Sequence, residues 1–286
     1  MTGVWRWNLV INDRSFVTSQ LDGSRWTAET SHMHILVTND DGVWAPGILA
    51  LAQEMRKLGR VTVFAPDRNW SVSGHTKTMD HPLRVRETTL ADNSAAFTSD
   101  GAPSDCVALA LLGLIDPTDL VISGINPNAN IGHDVTYSGT VTAAMEAVIS
   151  NVKGVAVSLN SPEGPKEGLD YRTAAVVARR IVEHMLANDI PEGAVLNVNV
   201  PYMKESELKG YMITRQGLRV YRDALDQRID PRGRPYYWIG GEAPTGIEEE
   251  GTDVGALAAG YVSITPLQLD LTNYKAMDVL RKWTWG

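Results

Sequence analysis

Short runs of β-forming residues alternate with helix-length stretches from residue 35 to about residue 200, and this alternation limits the possible fold more than any other feature. The first cycle predicts a strand Ile35–Thr38, a helix from Pro46 to about Leu58 and a strand Val61–Ala65. Further predicted helices are Ser104–Leu114, Gly139–Ile149 and Tyr171–Leu186, and further predicted strands are Leu120–Ser123, Val155–Leu159 and Val195–Val200. Such alternation favours a parallel sheet covered by helices. We therefore expect an α/β fold: a three-layer αβα, Rossmann-like arrangement around a mostly parallel sheet.

Both ends of the chain depart from this pattern. Residues 1–32 carry Trp5, Trp7 and Trp26 without helical or strand periodicity, and we interpret them as an N-terminal extension or tag outside the fold. Residues from about 203 to 265 are rich in Gly, Pro and paired aromatic residues, which predicts an extended C-terminal β-hairpin arm with loops. Such an arm suits contacts between subunits, and a flap over a substrate is the alternative. The expected folded domain is residues 33–286.

Composition excludes several classes of partner. The 286 residues carry 26 basic and 34 acidic side chains, a formal net charge of −8, which provides no long-range attraction for nucleic acid or an anionic membrane. Cys106 is the single cysteine and lies in an apolar run, which predicts packing rather than thiol chemistry and fits a reducing compartment. No apolar run approaches the roughly 20 residues of a membrane helix, so a cytoplasmic protein is expected.

Two adjacent carboxylates follow the first predicted strand, in the tetrapeptide Asn39-Asp40-Asp41-Gly42. In open α/β sheets, ligands bind beyond the carboxyl ends of the strands, so these acids are placed where a site would lie. Paired carboxylates next to an amide favour a hard cation with oxygen ligands. Taken alone, the tetrapeptide is more typical of a solvated turn than of a metal site.

Three later segments deliver small polar groups to the same predicted edge. Ser71 lies in the hydroxyl-rich loop after the second strand, and Asn126 and Asn130 bound an asparagine-rich loop after the strand that begins at Leu120. Ser138-Gly139-Thr140 opens a predicted helix, where free backbone N–H groups and the helix dipole favour an anion. Helix capping by Ser138 and turn formation by the asparagines are the ordinary alternatives. Only the joint occurrence predicts a metal-dependent phosphoryl-transfer site.

Other site types fit the sequence less well. The glycine-rich loops lack G-x-G-x-x-G and a G-K-[ST] ending, which argues against a dinucleotide-binding fold and a P-loop NTPase. His75, His81 and His133 lie in loops without the paired spacing of a zinc motif.

The chain resembles the SurE family of stationary-phase survival nucleotidases. The resemblance rests on motifs in the N-terminal half, namely Ile35–Gly42, Ala65–Asn69, Ser123–Asn126 and Tyr137–Val141. It continues in Asp230–Gly233, Tyr237–Gly240, Thr252-Asp253 and Gly260–Leu267, and thus covers about residues 33 to 285. Residues 1–32 fall outside it.

The resemblance implies a divalent-metal-dependent 5'-nucleotidase, a phosphoric monoester hydrolase that converts nucleoside monophosphates to nucleoside and phosphate, with short-chain polyphosphate as a further substrate of some members. It implies one divalent ion per subunit, magnesium or manganese with cobalt as a substitute, and a homodimer or homotetramer. The implied metal ligands are Asp40, Asp41, Ser71 and Asn126. The implied substrate-binding residues are Asn39, Asn130, Ser138, Gly139 and Thr140, and the implied catalytic residues are Asp40, Asp41, Asn130 and Ser138.

The residues leave the mechanism open between two routes. In one, water attacks the phosphorus in line, with Asp41 as the candidate proton acceptor. In the other, one acid of the pair forms a phosphoaspartyl intermediate. Two other classes of protein are weaker alternatives: a nucleotide sensor without turnover, and a structural protein that acts through its C-terminal arm.

Overall fold

The computed structural model of the protein describes residues 33–188 and 190–285, so the predicted extension at residues 1–32 lies outside the described residues. The strands are β1 His34–Thr38, β2 Arg60–Pro66, β3 Val85–Thr89, β4 Ala95–Ser99, β5 Leu120–Asn126, β6 Lys153–Asn160, β7 Ala194–Pro201, β8 Tyr211–Ile213, β9 Arg219–Ile229, β10 Pro235–Gly246 and β11 Val262–Gln268. The helices are α1 Pro46–Met55, α2 Pro103–Leu109, α3 Gly139–Ile149, α4 Arg172–Ala187, α5 Asp253–Ala258 and α6 Tyr274–Leu280. A π-helical turn, Ala110–Leu114, extends α2 to the end of the predicted helix.

Nine strands form one sheet in the order β3-β4-β2-β1-β5-β6-β7-β11-β8. The strands from β4 to β7 pair in parallel, whereas β3 and β11 are antiparallel to their neighbours β4 and β7. The mostly parallel sheet predicted from the alternating pattern is therefore confirmed.

Helices cover both faces of this sheet, which gives the three layers. Every residue of β1 is buried, because the strand lies at the centre between β2 and β5 and packs on both faces. One face packs against α1 and α4, around Ile48, Leu51 and Val177. The opposite face packs against α2 and α3, around Cys106 and Ala143. Cys106 is a free, fully buried thiol, as its apolar run predicted.

The chain reverses its direction of travel across the sheet at β1. It runs outward from β1 to β2 and then returns to place β5 on the other side of β1. The connections after β1 and before β5 lie on opposite faces, because α1 and α2 pack on opposite sides of the sheet. A crevice therefore opens between the carboxyl ends of β1 and β5, at the switch point where doubly wound sheets bind ligands.

Strands β9 and β10 form a separate antiparallel hairpin, which confirms the predicted C-terminal arm. The predicted range of about 203 to 265 is wider than this hairpin. Residues 211–213 form the edge strand β8, and residues 262–265 begin β11, which pairs with β7 in the main sheet. The polar run Ser263-Ile264-Thr265-Pro266 masked this strand in the sequence, because proline is rare inside sheets.

Among the described residues, no helix combines the length and the apolarity that crossing a lipid bilayer requires.

Candidate functional site

A cavity of about 900 Å³ opens at the switch point. Its wall includes the predicted site residues Asp40, Ser71, Asn126, Asn130 and Ser138. These side chains lie at or just after the carboxyl ends of β1, β2 and β5, or cap α3, and they meet because the carboxyl ends of parallel strands share one edge of the sheet. The structure thus brings together residues separated by up to about a hundred positions.

The two acids after β1 differ in their surroundings. Asp40 is buried and lines the cavity, whereas Asp41 is partly exposed and lies outside the wall of that cavity, near Tyr171. Gly42 turns the chain after them with a φ of 101°, in a conformation that side chains with a Cβ rarely adopt. Asn39 is fully buried; its Nδ2 donates to the Gly42 carbonyl at 3.0 Å and closes this turn, so the structure places its side chain away from the cavity.

Burial disfavours the ionised form of both acids, and the charge of Asp40 adds to this effect at Asp41. Burial raises the pKa of Asp40, and the hydrogen bond that Thr140 Oγ1 donates to its carboxylate opposes that rise. Burial, and then the Asp40 charge, raise the pKa of Asp41 from 3.8 to about 7. A nearby positive charge would favour ionisation of both groups.

The start of α3 packs directly against Asp40. Ser138 is the N-cap residue: its Oγ accepts a hydrogen bond from the Val141 amide at 3.1 Å. Gly139 leaves the space that the acid occupies, because a Cβ there would lie 2.8 Å from the Asp40 Cβ. Ser138 therefore caps α3, which was the ordinary alternative from the sequence, and also lines the cavity. Gly139 and Thr140 contact Asp40 but do not themselves line the cavity.

The loop that carries Ser71 is held from both sides. On one side, the Trp70 amide donates to the Asp40 carbonyl at 2.7 Å. On the other, His75 Nε2 and Lys77 Nζ lie 3.0 and 3.1 Å from the carboxylate of Glu146, a buried acid on α3. The hydrogen bond with His75 is the main cause that lowers the pKa of Glu146. Sequence analysis missed this anchor, because the residues lie about seventy positions apart.

The asparagine loop is held by residues that the sequence analysis did not select. Asn126 Nδ2 donates to the Asn128 carbonyl at 2.6 Å, so its side-chain oxygen is free to act as an acceptor. Asn130 contacts Ser158 on β6 and Asn197 and Asn199 on β7. The sequence did contain a signal for these contacts. Asn197 and Asn199 lie two positions apart in the otherwise apolar strand β7, so both amides lie on one face of the sheet.

The base of the C-terminal arm joins the wall of the cavity. Arg219 Nε donates to Asp134 Oδ2 at 2.7 Å, and Tyr221 donates its hydroxyl hydrogen to the other oxygen of that carboxylate at 2.5 Å. All three residues line the cavity. Sequence reasoning placed the arm correctly but did not connect it to the site.

The donor set favours oxygen coordination. Among residues 33–188 and 190–285, no group of three or more His, Cys, Asp and Glu side chains is arranged to hold a metal ion. A cation here would therefore depend on the Asp40 and Asp41 carboxylates together with hydroxyl and amide oxygens, and hard divalent ions accept such a set. Buried atoms without a protein partner in the described residues include Asn39 Oδ1 and Ser73 Oγ, and Ser73 lies beside Asp40 at Gly139.

Fold and site together define an αβα protein that presents carboxylate and amide oxygens beside a helix start at the switch point of its sheet. The model of the family described as "Survival protein SurE" matches residues 35–223, and the chain belongs to this family.

Relatives match it over nearly their full length. A protein named 5'-nucleotidase SurE from Herpetosiphon aurantiacus is 52% identical over 255 residues, which are 89% of this chain and 99% of the relative. A protein of the same name from Chloroflexus aggregans is 51% identical over 88% of this chain and 100% of its own length. The crystal structure of the SurE protein from Aquifex aeolicus aligns with a TM-score of 0.73 and 43% identity, over 87% of this chain and 98% of that one.

Proposed function

We propose that the protein is a 5'-nucleotidase that hydrolyses nucleoside monophosphates to nucleoside and phosphate in a divalent-metal-dependent reaction. One observation carries this function: acidic, hydroxyl and amide side chains from four separate elements line a single cavity at the switch point of the sheet. The relatives named 5'-nucleotidase SurE support it, since the identities extend over almost their whole chains.

Asp40, Asp41, Ser71 and Asn126 are the residues that we propose to hold the metal ion. The raised pKa of each acid supports this assignment, because the pair needs a positive partner to ionise fully at neutral pH. The free side-chain oxygen of Asn126 and the cavity-lining hydroxyl of Ser71 supply neutral donors. A bound divalent ion would act as a Lewis acid and a template for the phosphate. One ion per subunit, magnesium or manganese with cobalt as a substitute, is the expected content.

The start of α3 is the proposed phosphate-binding element. Ser138, Gly139 and Thr140 occupy the helix start, where the helix dipole favours an anion and where the Gly139 and Thr140 amides already face the Asp40 carboxylate. Because Ser138 Oγ accepts from the helix, its hydroxyl hydrogen remains free to donate to a phosphate oxygen. Asn130 contributes its side-chain amide from the opposite wall of the cavity. Asn39 is proposed to support the substrate site through the turn that its side chain closes.

The chain's residues then orient the phosphate and move one proton. Asp41 is our candidate acceptor for the proton of the attacking water, since it is the more exposed carboxylate of the pair. In the alternative route, one carboxylate of the pair attacks the phosphorus to form an acyl phosphate, the P–O bond to the nucleoside breaks, and water then hydrolyses the acyl phosphate. Reduction of an acid-quenched reaction with borohydride would convert a phosphoaspartyl group to homoserine, and unmodified protein would support direct attack by water.

Phosphate release tests the proposed function. A panel of nucleoside monophosphates, short-chain polyphosphate and an aryl phosphate is assayed with EDTA and then with magnesium, manganese or cobalt restored. We expect release that disappears with chelator and returns with metal, and Asp40→Asn should abolish it without unfolding the protein. Folded wild-type protein that releases no phosphate with any metal would reject the function. Preservation of near-normal turnover in Asp40→Asn would remove that residue from the ligand set.

Assembly, domain limits and location complete the proposal. The arm exposes large apolar side chains, among them Leu225, Trp238 and Ile239, as expected of a surface that another subunit covers. We propose a homodimer or homotetramer in which the arm makes subunit contacts, and light scattering of wild type and Ile239→Asp would test it.

Residues 33–286 are proposed as the phosphatase domain, so a chain that begins at Met33 should keep full turnover. The cytoplasmic location stays a prediction that cell fractionation can test.

A further inference from the structure

Asn199 is a fully buried amide on β7 that contacts none of the reacting groups. Asn197, two positions earlier on the same strand, is also fully buried. Because side chains alternate along a strand, both amides lie on the same face of the sheet. Asparagine is unfavourable inside strands, and a buried amide is costly unless its polar atoms are paired. The structure pairs three of their four polar side-chain atoms with the backbone of one residue, Asn130.

The Asn199 side chain holds the Asn130 peptide groups at two points. Its Oδ1 accepts from the Asn130 N–H at 2.8 Å, and its Nδ2 donates to the Asn130 carbonyl at 3.1 Å. Because a backbone N–H can only donate, the orientation of the Asn199 amide is determined. The two bonds resemble those that a neighbouring β-strand would make, and they fix both the position and the direction of the chain at residue 130.

Asn197 makes a weaker version of the same contact. Its Nδ2 donates to the Asn130 carbonyl at 2.8 Å, but its Oδ1 has no partner among the described residues. Only Asn199 satisfies the Asn130 N–H. Strand β7 therefore carries two equally buried amides, of which only Asn199 accepts a hydrogen bond from the Asn130 N–H.

Because its backbone is fixed, the Asn130 side chain is held in position at the cavity. The Asn130 side chain lines the cavity and gives one N–H of its Nδ2 to Ser158 Oγ at 2.8 Å, which leaves the second N–H available. The following residues are fixed as well, since the Gly132 amide donates to Asp253 Oδ2 at 2.8 Å. The loop is thus held in one conformation in the wall of the cavity that Ser138 also lines.

We propose that Asn199 is a positioning residue for substrate phosphate: it acts through the backbone of Asn130 and holds the Asn130 amide in place before substrate binds. This inference rests on the proposed function, because it takes Asn130 as a phosphate contact. Pre-organised donors bind an anion without the cost of ordering the loop at each encounter. Loss of the Asn199 contact should therefore weaken phosphate binding in a protein that still folds.

Asn199→Leu and its matched control Asn197→Leu test the proposal. Each removes one buried amide from the same face of β7, but only the first leaves the Asn130 N–H without a partner. We expect KM for 5'-AMP, and the dissociation constant of inorganic phosphate by calorimetry with manganese present, to rise about tenfold in Asn199→Leu, with a smaller change in kcat. Both constants should stay near the wild-type value in Asn197→Leu. If the leucine variants do not fold, Asn199→Ala and Asn197→Ala make the same comparison.

A double-mutant cycle separates positioning from a general loss of structure. If Asn199 acts through Asn130, Asn199→Leu should have little further effect on phosphate affinity once Asn130→Ala is present. Hydrogen exchange at residues 128–132 should be about tenfold faster in Asn199→Leu but not in Asn197→Leu. Unchanged phosphate affinity in folded Asn199→Leu, equal effects of the two variants, additive effects in the cycle or unchanged exchange would each overturn the proposal. Phosphate binding and exchange decide it even if wild type hydrolyses no nucleotide, an outcome that would reject only the proposed function.

Discussion

Replacing Asp41 by asparagine should stabilise the metal-free protein at and above neutral pH, although it should abolish stabilisation by divalent metal. The reason is the cost of ionising a second carboxylate beside the buried Asp40. Burial and that neighbouring charge raise the pKa of Asp41 from 3.8 to about 7. Asparagine keeps the size of the side chain and removes the ionisation.

The sign and size of the effect follow from proton linkage. The folded protein binds its proton at Asp41 more tightly than the unfolded chain, so between pH 3.8 and about 7 it holds more protons. The contribution of Asp41 to stability is therefore complete below the unfolded pKa and is lost as the pH rises through the folded pKa. The full shift corresponds to about 4 kcal/mol. Asp41 is partly exposed, and solvent screening reduces our expectation to roughly 2 kcal/mol.

Urea unfolding with EDTA, at a series of pH values from 4 to 8, measures this difference. The two proteins should be about equally stable at the acidic end, and Asp41→Asn should be the more stable by roughly 2 kcal/mol at pH 8. Carboxylates away from the Asp40–Asp41 pair titrate alike in both proteins and cancel in the comparison. Manganese at about a hundred times its dissociation constant should then stabilise wild type by about 2.7 kcal/mol and the variant by much less. A metal-free variant that is no more stable than wild type at pH 8 would refute the reasoning.

Three further substitutions test the supports of the site. Gly139→Ala should abolish turnover, because its Cβ would lie 2.8 Å from the Asp40 Cβ, and near-normal kcat would show that the helix start can shift. Glu146→Gln should cost about 1–3 kcal/mol in urea unfolding at pH 6, since the pair with His75 lowers the acid's pKa. That difference is present above the ordinary value of 4.5 and should shrink as the pH falls through the lowered folded pKa; a difference that persists there would contradict this assignment. Asp253→Ala leaves three backbone N–H groups without their acceptor and should cost about 3 kcal/mol or more, whereas a loss under about 1 kcal/mol would show that the amides find other partners.

Local pattern in the sequence was sufficient for the central elements. The predicted helix Gly139–Ile149 has the same bounds in the structure, and the predicted strand Ile35–Thr38 lies within β1. Both follow from short-range physics: an apolar run specifies a buried strand, and Ser138 provides a side-chain acceptor that begins a helix. The same local logic placed the two acids at a strand end.

Strands whose partners lie far along the chain were harder to predict. β3 and β4 are not in the sequence prediction, and the exposed residues of β3 show no clean alternation of buried and exposed positions. β11 joins the sheet through β7, more than sixty positions earlier, although its own sequence contains a proline. Pairing with an existing strand edge, rather than intrinsic propensity, decides such segments.

The sequence by itself determined the class of fold, the family and the set of polar residues at the strand ends, because each depends on residues that are adjacent or periodic. Only the tertiary structure decided how those residues are supported. The contact between Asn199 and Asn130 spans 69 positions, and that between Arg219 and Asp134 spans 85. A hydrogen bond over such a separation has no local signature, since it forms only after the sheet has brought distant strand ends to one edge.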